Sequence, residues 1–202
     1  MGRSRYRERQ WMYGGAGGWF RGRLMKPLIR VCIPVSADGY IADRDSSLAW
    51  KAAIDPDTLR CYSFEDGIGA VVMGRTAYGQ SAAQSVWPHS AVPCYVLAHR
   101  DDVEAPPSGV HVWTDGVTSL AHHLKATITE GDIWVEGGSK VITSFLEEDL
   151  IDRFELRVVP VLLGGGIPLL SGINTPTWLA LEGVEPLDDG VVAICYRRRA
   201  QA

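Results

Sequence analysis

The chain has 202 residues, of which 46% are hydrophobic and 22% are charged, and its formal net charge at pH 7 is -4. This length and composition are typical of a one-domain globular protein and exclude a fibrous or largely disordered chain. The acidic balance argues against nucleic acid as a partner. No apolar run reaches the roughly 18–20 residues that cross a bilayer, so we expect no membrane partner, a cytoplasmic location and a small-molecule ligand.

The N-terminal segment differs from the rest of the chain. Residues 1–26 carry six arginines and two glycine pairs and show no apolar period. We therefore expect a disordered basic extension over residues 1–26 and a folded domain over residues 27–200. Two alternatives are a basic aromatic arm that contacts nucleic acid or a membrane surface, and a true start at Met25.

Short apolar runs alternate with longer segments from residue 28 onward. The runs are rich in β-branched residues and predict strands buried on both faces. These strands are Leu28–Val35, Ala70–Met73, Cys94–Ala98, Val110–Trp113 and Ile133–Glu136, and helices are predicted over Pro56–Phe64, Leu120–Thr129 and Ser139–Leu146. Asp55 before Pro56 is typical of a helix N-cap. Val117, Leu120, Leu124 and Ile128 fall near helical spacing and predict the face that packs on the sheet.

The pattern changes after Asp152. Arg153–Val159, Thr177–Val184 and Val191–Arg197 predict three strands, and no helix-length segment separates the last two. These two strands are expected to pair antiparallel through the turn-rich residues 185–189. The sequence therefore predicts an α/β fold with a mixed, mostly parallel sheet and an antiparallel C-terminal hairpin.

Two glycine turns follow predicted strands, where open α/β sheets place their ligands. In the first turn, Gly74 permits close backbone approach, Arg75 can fork onto a phosphate, and Thr76 can cap a following helix. In the second turn, Gly137 and Gly138 lead into a helix that Ser139 can cap, and free N–H groups at a helix start favour an anion. An ordinary tight turn is the alternative in both cases. Neither turn has GxGxxG or P-loop spacing, so a conventional Rossmann domain or NTPase is disfavoured.

Other polar groups have weaker signals. His99 and Arg100 follow a predicted strand and suit the extra phosphate of NADPH, although a solvated loop end explains them equally well. Asp55 is either a helix cap or an acid that delivers a proton. The glycines at 164–166 predict a structural turn, and the five histidines lack HExxH spacing, so no metal is expected. The four cysteines are scattered singly and are expected to be buried free thiols.

Taken together and in this order, four segments resemble the dihydrofolate-reductase-like superfamily, over roughly residues 28–198. They are similar to its branch containing the reductase domain of the bacterial riboflavin-biosynthesis deaminase-reductase. The segments are Ser36–Ala42, Val72–Thr76, Val135–Ser139 and Phe145–Gly164. No His-x-Glu with Pro-Cys-x-x-Cys, the zinc-deaminase signature, precedes them, so only the reductase half is expected.

The resemblance implies a three-layer fold, with a central mixed sheet and helices on both faces, and NADPH bound across the strand ends. It assigns the cofactor phosphates to Gly74, Arg75, Thr76, Gly137, Gly138 and Ser139, and the 2′-phosphate region to His99 and Arg100. It places Asp38 and Glu136 near the substrate. Trp50 and Asp55 echo the tryptophan and acid of true dihydrofolate reductases, which gives Trp50 a substrate contact and Asp55 a catalytic proton-relay role.

The function implied by the resemblance is an NADPH-dependent reductase. Its expected acceptor is 5-amino-6-(5-phosphoribosylamino)uracil or a related small heterocycle or carbonyl. Three alternatives remain: a non-catalytic nucleotide-binding protein on the same fold, a dihydrofolate reductase proper, and an interaction protein that uses the basic arm. The resemblance also allows a homodimer, for which the apolar C-terminal strands offer a surface.

Overall fold

The computed structural model describes residues 26–61, 67–99, 103, 106–174 and 176–199. Except for Lys26, the predicted N-terminal extension lies outside the described residues, as does Arg100. The strands are β1 (Ile29–Ser36), β2 (Tyr40–Ala42), β3 (Ile68–Gly74), β4 (Cys94–Leu97), β5 (Val110–Trp113), β6 (Asp132–Gly137), β7 (Arg153–Val159), β8 (Ile167–Pro168), β9 (Leu179–Pro186) and β10 (Val192–Arg198). The α-helices are α1 (Pro56–Leu59), α2 (Arg75–Ala82), α3 (Gly116–Thr127) and α4 (Ser139–Glu147).

Eight of these strands form one sheet in the order β5-β4-β3-β6-β1-β7-β10-β9. The six strands from β5 to β7 pair in parallel, and β10 pairs antiparallel with both β7 and β9. Strands β2 and β8 form a separate two-stranded antiparallel ladder. The predicted mixed, mostly parallel sheet and the C-terminal hairpin are confirmed.

Helices pack on both faces of the sheet. Successive residues of a strand point to opposite faces, so each central strand contributes side chains to two cores. On one face, Ala70 and Val72 of β3 join the core that contains Leu120 and Leu124 of α3. On the other face, Val71 and Met73 join a second cluster, against which Ala77 and Tyr78 of α2 pack. Val117 and Ile128 pack against the first core, so the predicted helical stripe is confirmed.

Three predictions at helix ends need correction. Helix α1 is a single turn that ends at Leu59 rather than Phe64, and residues 62–66 lie outside the described part of the chain. Its predicted cap is confirmed, since the Asp57 N–H donates to Asp55 Oδ1 over 2.8 Å. Thr76 and Ser139 are not caps, because α2 and α4 begin directly after extended glycines that provide no side-chain acceptor.

The prediction of four free thiols is wrong for two of them. Cys32 of β1 and Cys61, which follows α1, form a disulfide with a Cα–Cα distance of 5.5 Å. The two residues are 29 positions apart in sequence and meet only because the segment after α1 returns to β1, which spacing alone does not reveal. Cys94 is a buried free thiol, and Cys195 is half-buried and free.

Burial makes both remaining thiols unreactive. Desolvation raises the pKa of Cys94 to about 12 and that of Cys195 to about 11. The thiolate is the reactive form of cysteine, and a raised pKa keeps it scarce at neutral pH.

In the described part of the chain no helix is both long and apolar enough to span a bilayer.

Candidate active site

A cavity of about 940 Å³ lies at the carboxyl ends of the central parallel strands. Its wall includes Ile33 and Pro34 of β1, the end of β3 at Gly74, and the end of β6 at Glu136 and Gly137. Carboxyl ends of parallel strands are where open α/β sheets bind ligands. The volume is at the upper end of the roughly 300–1,000 Å³ typical of small-molecule sites.

The two predicted glycine turns meet in this cavity. Strands β3 and β6 are neighbours, with Met73 paired to Gly137, so their ends lie side by side. A Cβ at Gly74 would lie 3.0 Å from Val141 Cγ2 and 4.0 Å from Gly137 O, so any larger residue would crowd Val141 at this close approach. The starts of α2 and α4 are therefore adjacent, and both present N–H groups that lack intrahelical acceptors.

The start of α4 has the features of an anion site. The Gly137–Gly138 peptide bond is cis, and a Cβ at Gly138 would have no neighbouring atom within 4 Å, so open space lies in front of the turn. Ser139 is only 7% exposed, and its Oγ has no hydrogen-bond partner among the described residues. A buried hydroxyl without a partner is costly unless a ligand or water satisfies it.

The cavity is positively charged although the whole chain has a formal net charge of -4. Four cations line it, and they come from separate elements: Lys51, Arg60, Arg75 and Lys140. Glu136 is the single carboxylate among the described residues that line it. This excess of cations favours an anionic ligand and focuses the field inside the cavity.

A buried histidine lies beside the carboxylate of Glu136. His89 Nε2 lies 3.1 Å from Glu136 Oε2, and the His89 side chain is 4% exposed. Trp87 and Trp134 both pack edge-on against the His89 ring, at centroid distances of 5.4 and 5.7 Å. These ring contacts hold the imidazole in place beside Glu136 in the cavity wall.

Lys51 also lines the cavity. It lies in the short 3₁₀ turn Ala49–Ala53, and its Nζ is 5.4 Å from the centroid of the Trp50 ring. Burial lowers the pKa of Lys51 to about 8, and the nearby negative charge of Glu136 opposes that shift. The cavity thus contains one lysine that changes charge close to physiological pH.

A family model described as the RibD C-terminal domain matches residues 27–193. The chain belongs to the RibD C-terminal domain family. It is 32% identical over 161 residues to Uncharacterized protein YwjB of Bacillus subtilis (strain 168), a match that spans 79% of this chain and 91% of YwjB. The family that the four sequence segments resemble is confirmed.

Solved structures share the fold of this RibD C-terminal domain. A putative riboflavin biosynthesis protein from Shewanella sp. PV-4 is 27% identical with a TM-score of 0.74, over 86% of this chain and 99% of that one. A Thermotoga maritima diaminohydroxyphosphoribosylaminopyrimidine deaminase/5-amino-6-(5-phosphoribosylamino)uracil reductase is 19% identical with a TM-score of 0.66, over 86% of this chain and 57% of that one. Because the same architecture occurs in dihydrofolate reductase, the predicted dihydrofolate-reductase-like fold is confirmed.

In this RibD C-terminal domain, most of the predicted site residues line one cavity. Those that do are Gly74, Arg75, Thr76, His99, Glu136, Gly137, Gly138 and Ser139. They come from the ends of three neighbouring strands and the two helices that follow β3 and β6. The cavity thus contains every residue predicted for the cofactor except Arg100, which lies outside the described residues. It also contains Glu136, one of the residues predicted for the substrate.

Three predicted residues are not among the described residues that line the cavity. Asp38 accepts hydrogen bonds from the Ser36 hydroxyl and from the N–H groups of Leu163 and Gly164, over 2.6, 3.1 and 2.7 Å. Asp55 is exposed and caps α1. The Trp50 indole Nε1 is buried without a hydrogen-bond partner. Their predicted substrate and catalytic roles stay predictions.

Sequence reasoning missed four charged or titratable side chains of the site. Lys51 directly follows Trp50, and Lys140 directly follows the second glycine turn, so both were next to residues already singled out. Arg60 follows α1, and its position in the wall depends on how that segment returns to β1. His89 carries no sequence signal, because its importance comes from its contact with Glu136 in space.

The described residues fit the diphosphate of a nicotinamide adenine dinucleotide. Adjacent starts of α2 and α4, the unsatisfied Ser139 hydroxyl and the cations Arg75 and Lys140 suit the diphosphate. His99 lies in the same wall, just after the end of β4. Trp113 also lines the cavity and has a buried Nε1 without an acceptor, a further donor for a polar ligand atom.

Proposed function

We propose that this protein is an NADPH-dependent reductase of the riboflavin-biosynthesis type. Its acceptor is 5-amino-6-(5-phosphoribosylamino)uracil or a related small heterocycle or carbonyl compound. The observation that carries the proposal is the meeting of two glycine-led helix starts in a cavity lined by four Lys or Arg residues and one carboxylate. Membership of the RibD C-terminal domain family supports the reaction class.

The cofactor side of the cavity is the side of α2 and α4. Gly74 and Gly138 leave the helix starts open, Ser139 offers its hydroxyl, and Arg75 and Lys140 neutralise phosphate charge. Bound NADPH supplies the hydride. The chain's task is then to align the nicotinamide with the acceptor carbon and to exclude water.

The acceptor side is the side of β1 and the 3₁₀ turn. Ile33, Ile41 and Leu48 give this part of the wall apolar surface that can pack against a flat heterocycle and exclude water. Glu136, which lies beside His89, offers carboxylate oxygens to N–H or O–H groups of the acceptor. Arg60 supplies a cation for an acceptor phosphate.

The alternative of a dihydrofolate reductase proper is less well supported. That reading needs Asp55 to act on the substrate, whereas Asp55 is exposed and engaged as the cap of α1. We therefore expect dihydrofolate to be turned over poorly or not at all.

The first test is cofactor binding by the wild-type protein and by two variants. NADPH binding is titrated by fluorescence and by thermal shift, with NADH for comparison. We expect tighter binding of NADPH than of NADH. Arg75→Ala should weaken NADPH binding about tenfold, the effect of losing one charge-assisted hydrogen bond of roughly 1.5 kcal/mol. Gly138→Asp should abolish binding, because its carboxylate occupies the space in front of α4.

Two matched variants serve as controls. Gly138→Ala adds only a Cβ that meets no neighbour within 4 Å, so it should fold and retain most binding. Arg197→Ala removes an arginine that pairs with Glu182 outside the cavity, and it should bind NADPH normally. No NADPH binding by the wild type would rule out the reductase.

Turnover is then measured as loss of NADPH absorbance with three acceptors. These are 5-amino-6-(5-phosphoribosylamino)uracil, its dephosphorylated form and dihydrofolate. Oxidation of NADPH by the phosphorylated uracil supports the proposal. NADPH binding without oxidation by any acceptor would instead favour the non-catalytic nucleotide-binding alternative.

A further inference from the structure

The Cys32–Cys61 disulfide forms part of the cavity wall. Cys32 lies in β1, an interior strand of the sheet, Cys61 follows α1, and both residues line the cavity. The disulfide therefore joins the sheet to residues 49–61, which we call the wall segment. Lys51, Leu59 and Arg60 of this segment also line the cavity.

Few other interactions hold the wall segment in place. It contains a 3₁₀ turn and the single turn of α1, and Thr58 is the one residue of it that is buried. Of the described residues that form the two hydrophobic cores, none comes from this segment. A segment with so little buried apolar surface has a low local stability.

The described hydrogen bonds of the wall segment are mostly local. Two of them reach distant parts of the chain. The Asp55 N–H donates to Asp189 Oδ2 over 2.9 Å at an exposed position. Arg157 Nη2 donates to the Arg60 carbonyl over 3.3 Å. The covalent bond to β1 is therefore the strongest link between this segment and the sheet.

The two cysteines of the disulfide differ in accessibility. Cys32 is 1% exposed, whereas Cys61 is half-buried in the cavity wall. Thiol–disulfide exchange requires a thiolate to reach one of the two sulfurs. A thiol that enters the cavity therefore meets Cys61 before Cys32.

The charge of the cavity favours one class of thiol. Cys61 directly follows Arg60, and the described lining residues include four Lys or Arg side chains and one carboxylate. An excess of cations in a cleft raises the local concentration of anions. A thiol that carries a further negative group, such as a carboxylate or a sulfonate, is therefore favoured over a cationic thiol.

We propose that Cys61 is a thiol-exchange site and that the Cys32–Cys61 disulfide is a redox switch for the wall segment. The thiolate of an anionic low-molecular-weight thiol attacks Cys61 Sγ, the bond to Cys32 breaks, and Cys32 leaves as a thiolate that takes a proton. A second thiolate attacks the external sulfur of the mixed disulfide, so Cys61 is released and takes a proton. The protein disulfide is reduced by two electrons, and the two external thiols are oxidised to their disulfide.

Reduction separates the wall segment from β1. Lys51 and Arg60 move with the segment, whereas Arg75 and Lys140 stay on α2 and α4. The oxidised protein therefore has the complete cavity wall, and the reduced protein has a wider and less positive cavity. This switch goes beyond the proposed function, and it is tested without turnover or NADPH.

Limited digestion with trypsin measures the release of the wall segment, since trypsin cleaves after Lys51 and Arg60. Oxidised wild type is compared with wild type that has been reduced with dithiothreitol and freed of reductant without air. Cleavage at these two sites, read by mass spectrometry, should be about tenfold or more faster in the reduced protein. Cys61→Ser should show the fast cleavage without reductant. Equal rates in oxidised and reduced wild type would overturn the proposal.

Two controls confine the effect to the wall segment. Cleavage after Lys125 should not change on reduction, because its helix α3 is anchored in the core by Leu120 and Leu124. Cys195→Ser removes a cysteine outside the disulfide and should keep the slow cleavage of the oxidised wild type. Faster cleavage after Lys125 as well would mean that the whole domain loosens, and it would overturn a switch in this segment.

The class of thiol is tested with two small reagents of opposite charge. Reduction by 2-mercaptoethanesulfonate and by cysteamine is followed by alkylation of the new thiols and mass spectrometry, at equal thiolate concentrations and relative to a small reference disulfide. At low salt the anionic sulfonate should react about tenfold faster, and high salt should remove this advantage. Lys140→Gln should reduce the advantage about threefold, whereas the matched Lys125→Gln, away from the cavity, should leave it unchanged. Equal rates for both reagents, or no reduction by either, would overturn the exchange site.

Discussion

At the residue scale, the carboxylate of Asp38 accepts hydrogen bonds from three groups of the chain itself. The hydrogen bond from the Ser36 hydroxyl lowers the Asp38 pKa most, and the N–H groups of Gly164 and Leu163 lower it further, although partial desolvation opposes them. The Ser36 hydroxyl in turn accepts from the Tyr40 N–H over 2.9 Å. Asp38 therefore ties the end of β1 to the glycine-rich turn at residues 164–166.

This arrangement predicts a stability effect for Asp38→Asn. A lowered folded-state pKa stabilises the protein above the ordinary value of 3.8, and this contribution disappears as the pH falls through the folded-state pKa. Asp38→Asn should thus lower the melting temperature at pH 7, and its difference from the wild type should vanish in acid. Thermal unfolding at several pH values measures this. Unchanged stability with a raised acceptor KM would instead support the predicted substrate contact.

The residues of the site differ in how visible they are in the sequence. Gly74, Gly137 and Gly138 are predictable because a strand, a glycine turn and a helix follow one another locally. Lys51 and His89 are not, since Lys51 depends on its burial in the cavity wall and His89 on its contact with Glu136, far away in the chain. Chemistry that depends on local geometry can be read from one sequence, whereas chemistry that depends on a long-range pair cannot.

At the element scale, buried strands were the most predictable parts. Strands β5 and β7 have the predicted bounds, because a continuous apolar or alternating run marks clearly where a strand begins and ends. The bounds of α2 were not predicted, since its sequence is largely polar and offers no apolar stripe. The segment after α1 was also missed, because its position depends on the disulfide to β1 and not on local pattern.

That disulfide predicts a measurable loss of stability in Cys61→Ser. Closing a loop between residues 29 apart restricts the unfolded chain, which stabilises the fold by about 3–4 kcal/mol in the chain-entropy model. Urea unfolding without reductant should show this loss, and wild type with dithiothreitol should behave like the variant. Cys195→Ser removes a free thiol and should change stability much less. Equal stability of Cys61→Ser and oxidised wild type would contradict the prediction.

At the scale of the whole molecule, the order of strands in the sheet explains how residues from distant parts of the chain meet in one cavity. Strand β6 lies between β3 and β1, so the late glycine turn is brought beside the early one and beside the end of β1. The sequence pattern predicts that these strands share a sheet but does not order them. That order and the cationic character of the cavity became visible only once the elements were in place.

The same order leaves β9 at one edge of the sheet, and this edge predicts a homodimer. The side chains of Trp178 and Leu181 are 73% and 59% exposed, and Val184 is exposed along the same strand. An apolar edge strand with free backbone groups favours pairing with another strand.

We propose that two copies associate along β9, so light scattering should give twice the chain mass of 22.1 kDa. Leu181→Lys should give the monomer mass, whereas Val86→Lys, an equally conspicuous exposed residue away from β9, should not. A monomeric wild type at the concentrations used for turnover would exclude this interface from the function.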